Sequence, residues 1–126
     1  MPHTIIYNSE MHIIESKFQE DLTFSEVKEF ISEGARIAKE KDCALFLTDY
    51  REVTLKLSTF EIYEVPKLMQ DMFASIGFNV SRLRRAIVVA KDLNDFLFHE
   101  TVTLNRGQNA KVFYDIDEAR KWLLRK

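Results

Sequence analysis

Short apolar runs alternate along the chain with longer amphipathic segments. The apolar runs cover residues 3–8, 11–20, 43–47, 84–90 and 111–114 and are rich in β-branched and aromatic side chains, which favours β-strands. A turn at residues 8–10 separates the first two runs, so we expect an antiparallel pair there. The third and fourth runs are continuously apolar, which is typical of strands buried on both faces of a parallel sheet.

Four amphipathic segments predict helices, each beginning beside a residue that favours an N-cap. Capping-box sequences open helices over residues 24–39 and 59–76, and aspartates precede the predicted helices over 93–105 and 116–126. Pro66 lies inside the second segment, so we expect a kink or two short helices there. Gly34, on the apolar side of the first segment, should let a neighbouring element approach closely. Residues 50–57 are predicted to be a loop.

The order of these elements predicts a single α/β domain over residues 1–126. Two strands are followed by three helix–strand units and a final helix, which gives the order ββαβαβαβα with four helices. Strands that alternate with helices are joined by right-handed crossovers and therefore run parallel. We expect a mixed, mostly parallel sheet with helices packed against it.

Composition and charge narrow the functional classes. The chain has 126 residues, a formal net charge of −2 and one cysteine. The charge predicts no nucleic-acid partner, and the single cysteine fits a cytoplasmic protein without an internal disulfide. The longest apolar run is too short to span a membrane. The three histidines have no metal-ligand spacing, and no catalytic motif is present, so we expect no metal, no cofactor and no enzymatic activity.

The chain resembles the STAS domain, and in particular the small bacterial SpoIIAA-like proteins. The likeness is carried by Asp49, by the strand at residues 85–89 and by the strand–helix ending at residues 112–123. It extends over the whole order of elements. The resemblance implies a STAS-like fold and a regulatory role exerted through protein–protein contacts.

Anti-sigma-factor antagonists of this family carry an Asp-Ser-Ser-Gly segment at the start of their second helix. A partner kinase phosphorylates the second serine. The corresponding residues here are Leu57, Ser58, Thr59 and Phe60. The resemblance therefore implies a regulatory phosphorylation site at Thr59, with Ser58 beside it, while the Asp and Gly of the family pattern are replaced.

Two further groups of side chains are candidate binding residues. The first is a polar rim at the carboxyl ends of the strands, where ligands bind to open α/β sheets. The second is a surplus of apolar side chains on the predicted helices over 59–76 and 93–105, which forms an apolar pocket, a dimer surface or part of the core. The rim consists of Asp49, Tyr50, Arg51, Lys91 and Asp92, and the apolar group consists of Phe60, Tyr63, Met69, Met72, Phe73, Phe96 and Phe98.

Three hypotheses about function follow from the sequence. The favoured hypothesis is a non-enzymatic STAS-like binding or regulatory module that contacts a protein partner and forms a homodimer through the two helices that carry the apolar group. The second is a carrier of a small apolar or lipid-like ligand, held between those two helices and the sheet. The third is an anti-sigma-factor antagonist with Thr59 as phosphate acceptor.

Overall fold

The protein folds as a mixed five-stranded β-sheet with helices on both faces. The computed structural model describes residues 3–55, 58–79, 82–90 and 109–125. Within these residues the sheet order is β1-β2-β3-β4-β5, with β1 and β5 at the edges. The elements are β1 (His3–Asn8), β2 (Ile13–Leu22), α1 (Phe24–Lys41), β3 (Leu45–Leu55), α2 (Thr59–Ser75), β4 (Arg84–Val88), β5 (Asn109–Phe113) and α3 (Ile116–Leu124).

The α/β class and the strand directions predicted from the sequence are confirmed. Strand β1 pairs antiparallel with β2, and every other neighbouring pair is parallel. The described residues contain three helices. The predicted helix over 93–105, its Asp92 cap and the predicted rim residue Lys91 lie outside the described residues.

In the described part of the chain, two helices cover one face of the sheet and one helix covers the other. Helices α1 and α2 pack on one face over a core that includes Phe18, Phe30, Phe46 and Phe73. Helix α3 packs on the other face through Ala119 and Leu123, over Leu47, Ala86 and Val88 of β3 and β4. The half of this second face formed by β1 and β2 carries the exposed side chain of Ile6.

Strand β3 is longer than the sequence pattern indicated. We expected a strand over 43–47 and a loop over 50–57, but β3 continues to Leu55. The pairing with β2 steps from Lys17–Asp49 to Gln19–Glu52, so two residues of β3 occupy the space of one residue of β2. A bulge of this kind changes which side chains share a face of the sheet. The break in alternation is what made this segment resemble a loop.

Helix α2 runs without interruption from Thr59 to Ser75, with Pro66 inside it. The alternative of two short helices was therefore wrong. Helix α2 ends where Gly77 adopts a positive φ of 77° and its backbone N–H donates to the carbonyl of Ala74 at 3.0 Å. Glycine adopts this left-handed conformation without steric cost.

Local hydrogen bonds fix the helix starts that the sequence predicted. The Thr23 hydroxyl accepts a hydrogen bond from the backbone N–H of Glu26 at 3.4 Å at the start of α1. The Asp115 carboxylate accepts one from Asp117 N–H at 3.0 Å at the start of α3. Each bond satisfies one of the backbone donors that a helix leaves free in its first turn.

Candidate functional site

The most prominent exposed aromatic pair in the described residues lies in the first turns of α2. Phe60 is 71% exposed and Tyr63 is 48% exposed. Residues three apart on a helix are neighbours on its surface, so the two rings extend from the same side of α2. We call Ser58, Phe60, Glu61 and Tyr63 the α2 entrance.

A complete capping box holds the α2 entrance in place. The backbone N–H of Glu61 donates to the Ser58 hydroxyl at 3.1 Å, and the backbone N–H of Ser58 donates to the Glu61 carboxylate at 2.8 Å. Each of the two side chains accepts a hydrogen bond from the backbone of the other residue, and these two bonds hold the first turn of α2, from which Phe60 projects. The exposed rings are therefore presented on an ordered helix end.

The predicted apolar group divides between core and surface. Met69 and Phe73 are buried, and Phe73 contacts Phe46 and Phe78 at ring-centroid distances of 6.2 and 5.4 Å. Met69 and Phe73 are therefore part of the core, which is one of the three alternatives that the sequence left open. Their spacing of four residues, continued back to Val65, is the signal that identifies them as core.

The remaining members of the apolar group have different positions. Met72 is half-buried and lines a groove of about 510 Å³ between α1 and α2, with Ala35 and Ile76 on its apolar floor. Charged side chains of α1, including Arg36 and Glu40, also line this groove. Phe96 and Phe98 lie outside the described residues.

The two candidate phosphorylation residues lie at the start of α2, as predicted. Thr59 is the first residue of the helix and Ser58 is its N-cap. The Ser58 hydroxyl already accepts the Glu61 N–H, and the Glu61 carboxylate lies at the Ser58 backbone. A phosphate on Ser58 would replace this cap and face a carboxylate of the same sign, so Ser58 is the less suitable acceptor of the two.

The polar rim takes a different form from the one that was predicted. Asp49 and Arg51 lie in the middle of β3, on the α3 side of the sheet, rather than at the end of a strand. Arg51 donates to both carboxylate oxygens of Asp49, from Nε at 3.0 Å and from Nη2 at 2.8 Å. The bulge in β3 brings Glu52 to the same side, where it pairs with Lys17 at 2.9 Å. We call Lys17, Asp49, Arg51 and Glu52 the charged shelf.

The electrostatics of the charged shelf favour a structural ion-pair network. Burial alone would raise the pKa of the Asp49 carboxyl, but the hydrogen bonds and charge of Arg51 outweigh it and hold the pKa below its ordinary value. An open cavity of about 200 Å³ adjoins the shelf and is lined by Lys17, Asp49, Ile6 and Ile116, among others. Asp49 is ionised and bound on both oxygens, which makes it a poor general base.

Tyr50 does not belong to the rim. Its side chain lies in the core on the α1 and α2 side of the sheet, where its ring is 5.1 Å from that of Phe18. The pKa of the Tyr50 hydroxyl is raised to about 12, because the effect of burial is larger than the opposite effect of the nearby Arg85 charge. The alternation of side chains along a strand places Tyr50 on the face opposite to Asp49 and Arg51.

Cys43 is a buried thiol that lies two residues before β3. Its Sγ donates to the backbone carbonyl of His12 at 3.2 Å. Burial raises the pKa of the thiol, so it stays protonated and unreactive at neutral pH. In the part of the chain that the structure describes, no group of three or more His, Cys, Asp or Glu side chains is arranged to hold a metal ion.

Comparison with known proteins does not assign the chain to a family. No protein-family model matches it, and no curated protein matches it in sequence. None of the helices in the described segments is long and apolar enough to cross a membrane.

Sequence reasoning identified Phe60, Tyr63, Asp49 and Arg51 but missed Lys17 and Glu52. Their partnership depends on the register between β2 and β3 and on the bulge, neither of which a local pattern reveals. The exposure of Phe60 and Tyr63 could be predicted from their positions on the helix. Phe60 and Tyr63 lie on the side of α2 opposite the buried stripe.

Proposed function

We propose that the protein is a STAS-like interaction module that binds a protein partner through the α2 entrance. The observation that carries this proposal is the pair of exposed rings, Phe60 and Tyr63, on a helix end held by a complete capping box. Aromatic side chains are enriched at protein interfaces and supply large contact areas at low entropic cost. The start of the second helix is also where STAS-type antagonists, which this chain resembles, carry their regulatory segment.

The partner is a protein with an apolar surface pocket bordered by charged groups of both signs. Glu64 lies in the same turns of α2 as the two rings, and the exposed Lys67 follows Tyr63 by one turn, so both signs of charge flank the aromatic area. Complementary charges at the rim of the partner's pocket would pair with them and guide the encounter. The rings would supply most of the binding energy.

The carrier hypothesis has less support. It needed apolar side chains of α2 to line a pocket against the sheet, whereas Met69 and Phe73 fill the core instead. The groove between α1 and α2 is bordered by the charged side chains of Arg36, Lys39 and Glu40. A lipid-like ligand favours an enclosed and predominantly apolar cavity.

The experiment that tests the interaction module compares three forms of the immobilised protein in quantitative affinity purification. They are the wild type, a Phe60→Ala/Tyr63→Ala double variant and a Tyr114→Ala control. Tyr114 is 64% exposed and precedes the helix on the other face of the sheet, so its replacement removes a similar ring elsewhere. We expect one protein to be captured by the wild type and the control and lost from the double variant.

The captured protein is then purified and its dissociation constant is measured with each form. Loss of two hot-spot rings should weaken binding at least about a hundredfold, or about 2.8 kcal/mol. Equal affinity of the double variant and the wild type would exclude the α2 entrance as the binding surface. Unchanged thermal unfolding of the double variant excludes misfolding as the cause of a loss.

A second candidate is regulation of this contact by phosphorylation of Thr59. The specific observation in its favour is that Thr59 is the first residue of α2 and directly precedes the exposed Phe60. Negative charge is favourable at a helix N-terminus, so Thr59→Glu should fold normally. We expect Thr59→Glu to abolish binding of the captured partner and Thr59→Ala to preserve it; equal binding by both would end the phosphorylation hypothesis.

A further inference from the structure

The side chains of Tyr7 and His12 meet beside the turn that joins β1 to β2. The Tyr7 hydroxyl is hydrogen-bonded to Nδ1 of His12, and Nε2 of the same ring lies 3.0 Å from the backbone carbonyl oxygen of Asp42. A carbonyl oxygen can only accept a hydrogen bond, so Nε2 carries the proton of the neutral imidazole. Nδ1 therefore carries the lone pair, which accepts the hydrogen bond from the Tyr7 hydroxyl.

Several contacts hold the His12 ring in this position. The backbone of His12 has a positive φ of 56°, a left-handed conformation that is uncommon for residues other than glycine and that concentrates at functional sites. The His12 carbonyl accepts a hydrogen bond from Sγ of Cys43 at 3.2 Å. Within the turn, Oδ1 of Asn8 accepts from the backbone N–H groups of Glu10 and Met11 at 3.1 and 3.2 Å. The imidazole is thus oriented both through its ring and through its backbone.

A hydroxyl that is bonded to an oriented imidazole has the geometry of an activated nucleophile. A hydroxyl is a weak nucleophile until a base takes its proton, and the base must lie within hydrogen-bond distance and be oriented by a third group. Tyr7 supplies the hydroxyl, His12 supplies the base, and the carbonyl of Asp42 is the third group. Tyr7 is half-buried and His12 is exposed, so a small molecule has access to the pair.

The charges around Tyr7 indicate which electrophile suits it. Nζ of Lys41 lies 5.5 Å from the centre of the Tyr7 ring. Attack on an acyl carbon places one negative charge on the carbonyl oxygen, and a single ammonium group can stabilise it. Phosphoryl transfer spreads charge over several oxygens and uses several cations. The guanidinium of Arg82, the next cation at this end of the sheet, is already paired with the Asp42 carboxylate at 3.2 Å.

We propose that Tyr7 is a nucleophile for activated acyl groups, as in esters and thioesters, and that His12 is its general base. The Tyr7 oxygen forms a bond to the acyl carbon while its proton passes to Nδ1 of His12. The bond from the acyl carbon to the leaving oxygen or sulfur then breaks, and the leaving group departs with the bonding electrons. The product is an aryl ester at Tyr7, and His12 releases the proton to the leaving group or to water.

This site is separate from the α2 entrance. The Tyr7 site lies at the amino end of β3, next to residues 42 and 43, whereas α2 begins after the carboxyl end of β3. Acylation of Tyr7 and binding of a partner at α2 are therefore independent, and either one can fail without the other.

The test is acetylation of the full chain by p-nitrophenyl acetate at neutral pH. Release of p-nitrophenolate gives the rate, and peptide mapping by mass spectrometry locates the acetyl group. Tyr114 is the internal reference, because it is 64% exposed and reactivity set by exposure alone would favour it over the half-buried Tyr7. We expect Tyr7 to be acetylated at least about a hundredfold faster than Tyr114, as general-base assistance contributes at least about this factor.

Three variants assign the roles. Tyr7→Phe keeps the ring and should abolish the fast release of p-nitrophenolate, whereas Tyr114→Phe should leave it unchanged. His12→Asn removes the base but keeps a residue that tolerates the left-handed backbone. We expect it to slow acetylation of Tyr7 by about a hundredfold. Thermal unfolding verifies that each variant is folded.

Three results would overturn the proposal. The first is acetylation of Tyr114 as fast as that of Tyr7, a comparison that uses the wild type alone and so does not depend on the folding of any variant. The second is acetylation of Tyr7 at the wild-type rate in a folded His12→Asn variant. The third is acetyl groups found on lysines or on the His12 ring and not on Tyr7.

Discussion

Ser58 and Glu61 cap each other's backbone at the start of α2. The Glu61 N–H donates to the Ser58 hydroxyl at 3.1 Å, and the Ser58 N–H donates to the Glu61 carboxylate at 2.8 Å. This pair holds the helix turn from which Phe60 projects. The stability of α2 and the geometry of the proposed interaction surface therefore depend on the same two side chains.

Replacement of Ser58 tests the capping box. We expect Ser58→Ala to lower the free energy of unfolding by about 1 kcal/mol, because a backbone donor in the first turn of α2 loses its partner. Ser58→Asn is the matched control, since asparagine caps helices about as well as serine. Chemical denaturation measures both variants. Equal losses in the two variants would mean that the cap does not stabilise the fold.

The pH dependence of stability tests the Asp49–Arg51 pair. The pKa of Asp49 is lower in the folded protein than in the unfolded chain, where an aspartate has a pKa of about 3.9. The ionised form therefore stabilises the fold above that pH, and this contribution is lost as the pH falls through the lower folded pKa. We expect Asp49→Asn to be less stable than the wild type at pH 7 and the difference to shrink below about pH 4.

The control for this experiment is Asp71→Asn, which removes an exposed carboxylate from α2. Its stability should follow that of the wild type at every pH. Denaturation curves collected from acid to neutral pH give the comparison. A constant difference between Asp49→Asn and the wild type across this range would show that the ion pair does not couple stability to pH.

The close approach of α1 to β3 depends on Gly34. A Cβ atom at this position would lie 3.0 Å from Cε2 of Phe46, which is tighter than ordinary van der Waals contact. We expect Gly34→Ala to destabilise the protein by about 1–3 kcal/mol, because crowding of the Phe46 ring outweighs the helix-forming advantage of alanine. Thermal or chemical unfolding measures the change.

A double-mutant cycle separates crowding from helix propensity. In a Phe46→Leu background the ring is absent, and Gly34→Ala should become neutral or stabilising by up to about 1 kcal/mol. If Gly34→Ala costs the same free energy in both backgrounds, contact with Phe46 is not the reason for the glycine.

Arg84, at the start of β4, forms hydrogen bonds with the C-terminal end of α3. Its guanidinium lies 4.5 Å from the centre of the Trp122 ring and donates to the backbone carbonyls of Trp122, Leu123 and Arg125. These carbonyls lie at the helix C-terminus, where acceptors lack helical partners and positive charge is favourable. We expect Arg84→Ala to cost about 2 kcal/mol of stability and Arg84→Lys to recover only part of it.

Two observables check the prediction for Arg84. Chemical denaturation gives the change in stability, and the fluorescence of Trp122, the only tryptophan of the chain, reports on its surroundings. A neighbouring cation is removed in Arg84→Ala but kept in Arg84→Lys. Unchanged stability and fluorescence in Arg84→Ala would show that the three hydrogen bonds contribute nothing net.

The sequence predicted best what depends on neighbouring residues. The capped starts of α1, α2 and α3 were found because a cap and its partner lie within three residues of each other. Strand directions followed from the alternation of strands and helices. The close approach at Gly34 was also anticipated from its place on the apolar side of α1.

The sequence could not predict what depends on register or on the placement of helices. The length of β3 was missed because the bulge at Tyr50 and Arg51 interrupts the two-residue alternation. Lys17 and Glu52 are 35 positions apart in the sequence, and their contact depends on the register of β2 against β3. Local periodicity identifies the buried side of α3 but not the face of the sheet against which it packs.

The most direct test of the interaction module is site-specific photocrosslinking in cells. A photoreactive phenylalanine analogue is introduced at position 60, at position 63 and, as a control, at position 114, all of which are exposed aromatic sites. We predict that positions 60 and 63 become covalently linked to one and the same protein, and that position 114 does not. If positions 60 and 63 give no protein adduct, or the same adducts as position 114, the α2 entrance is not the partner-binding surface.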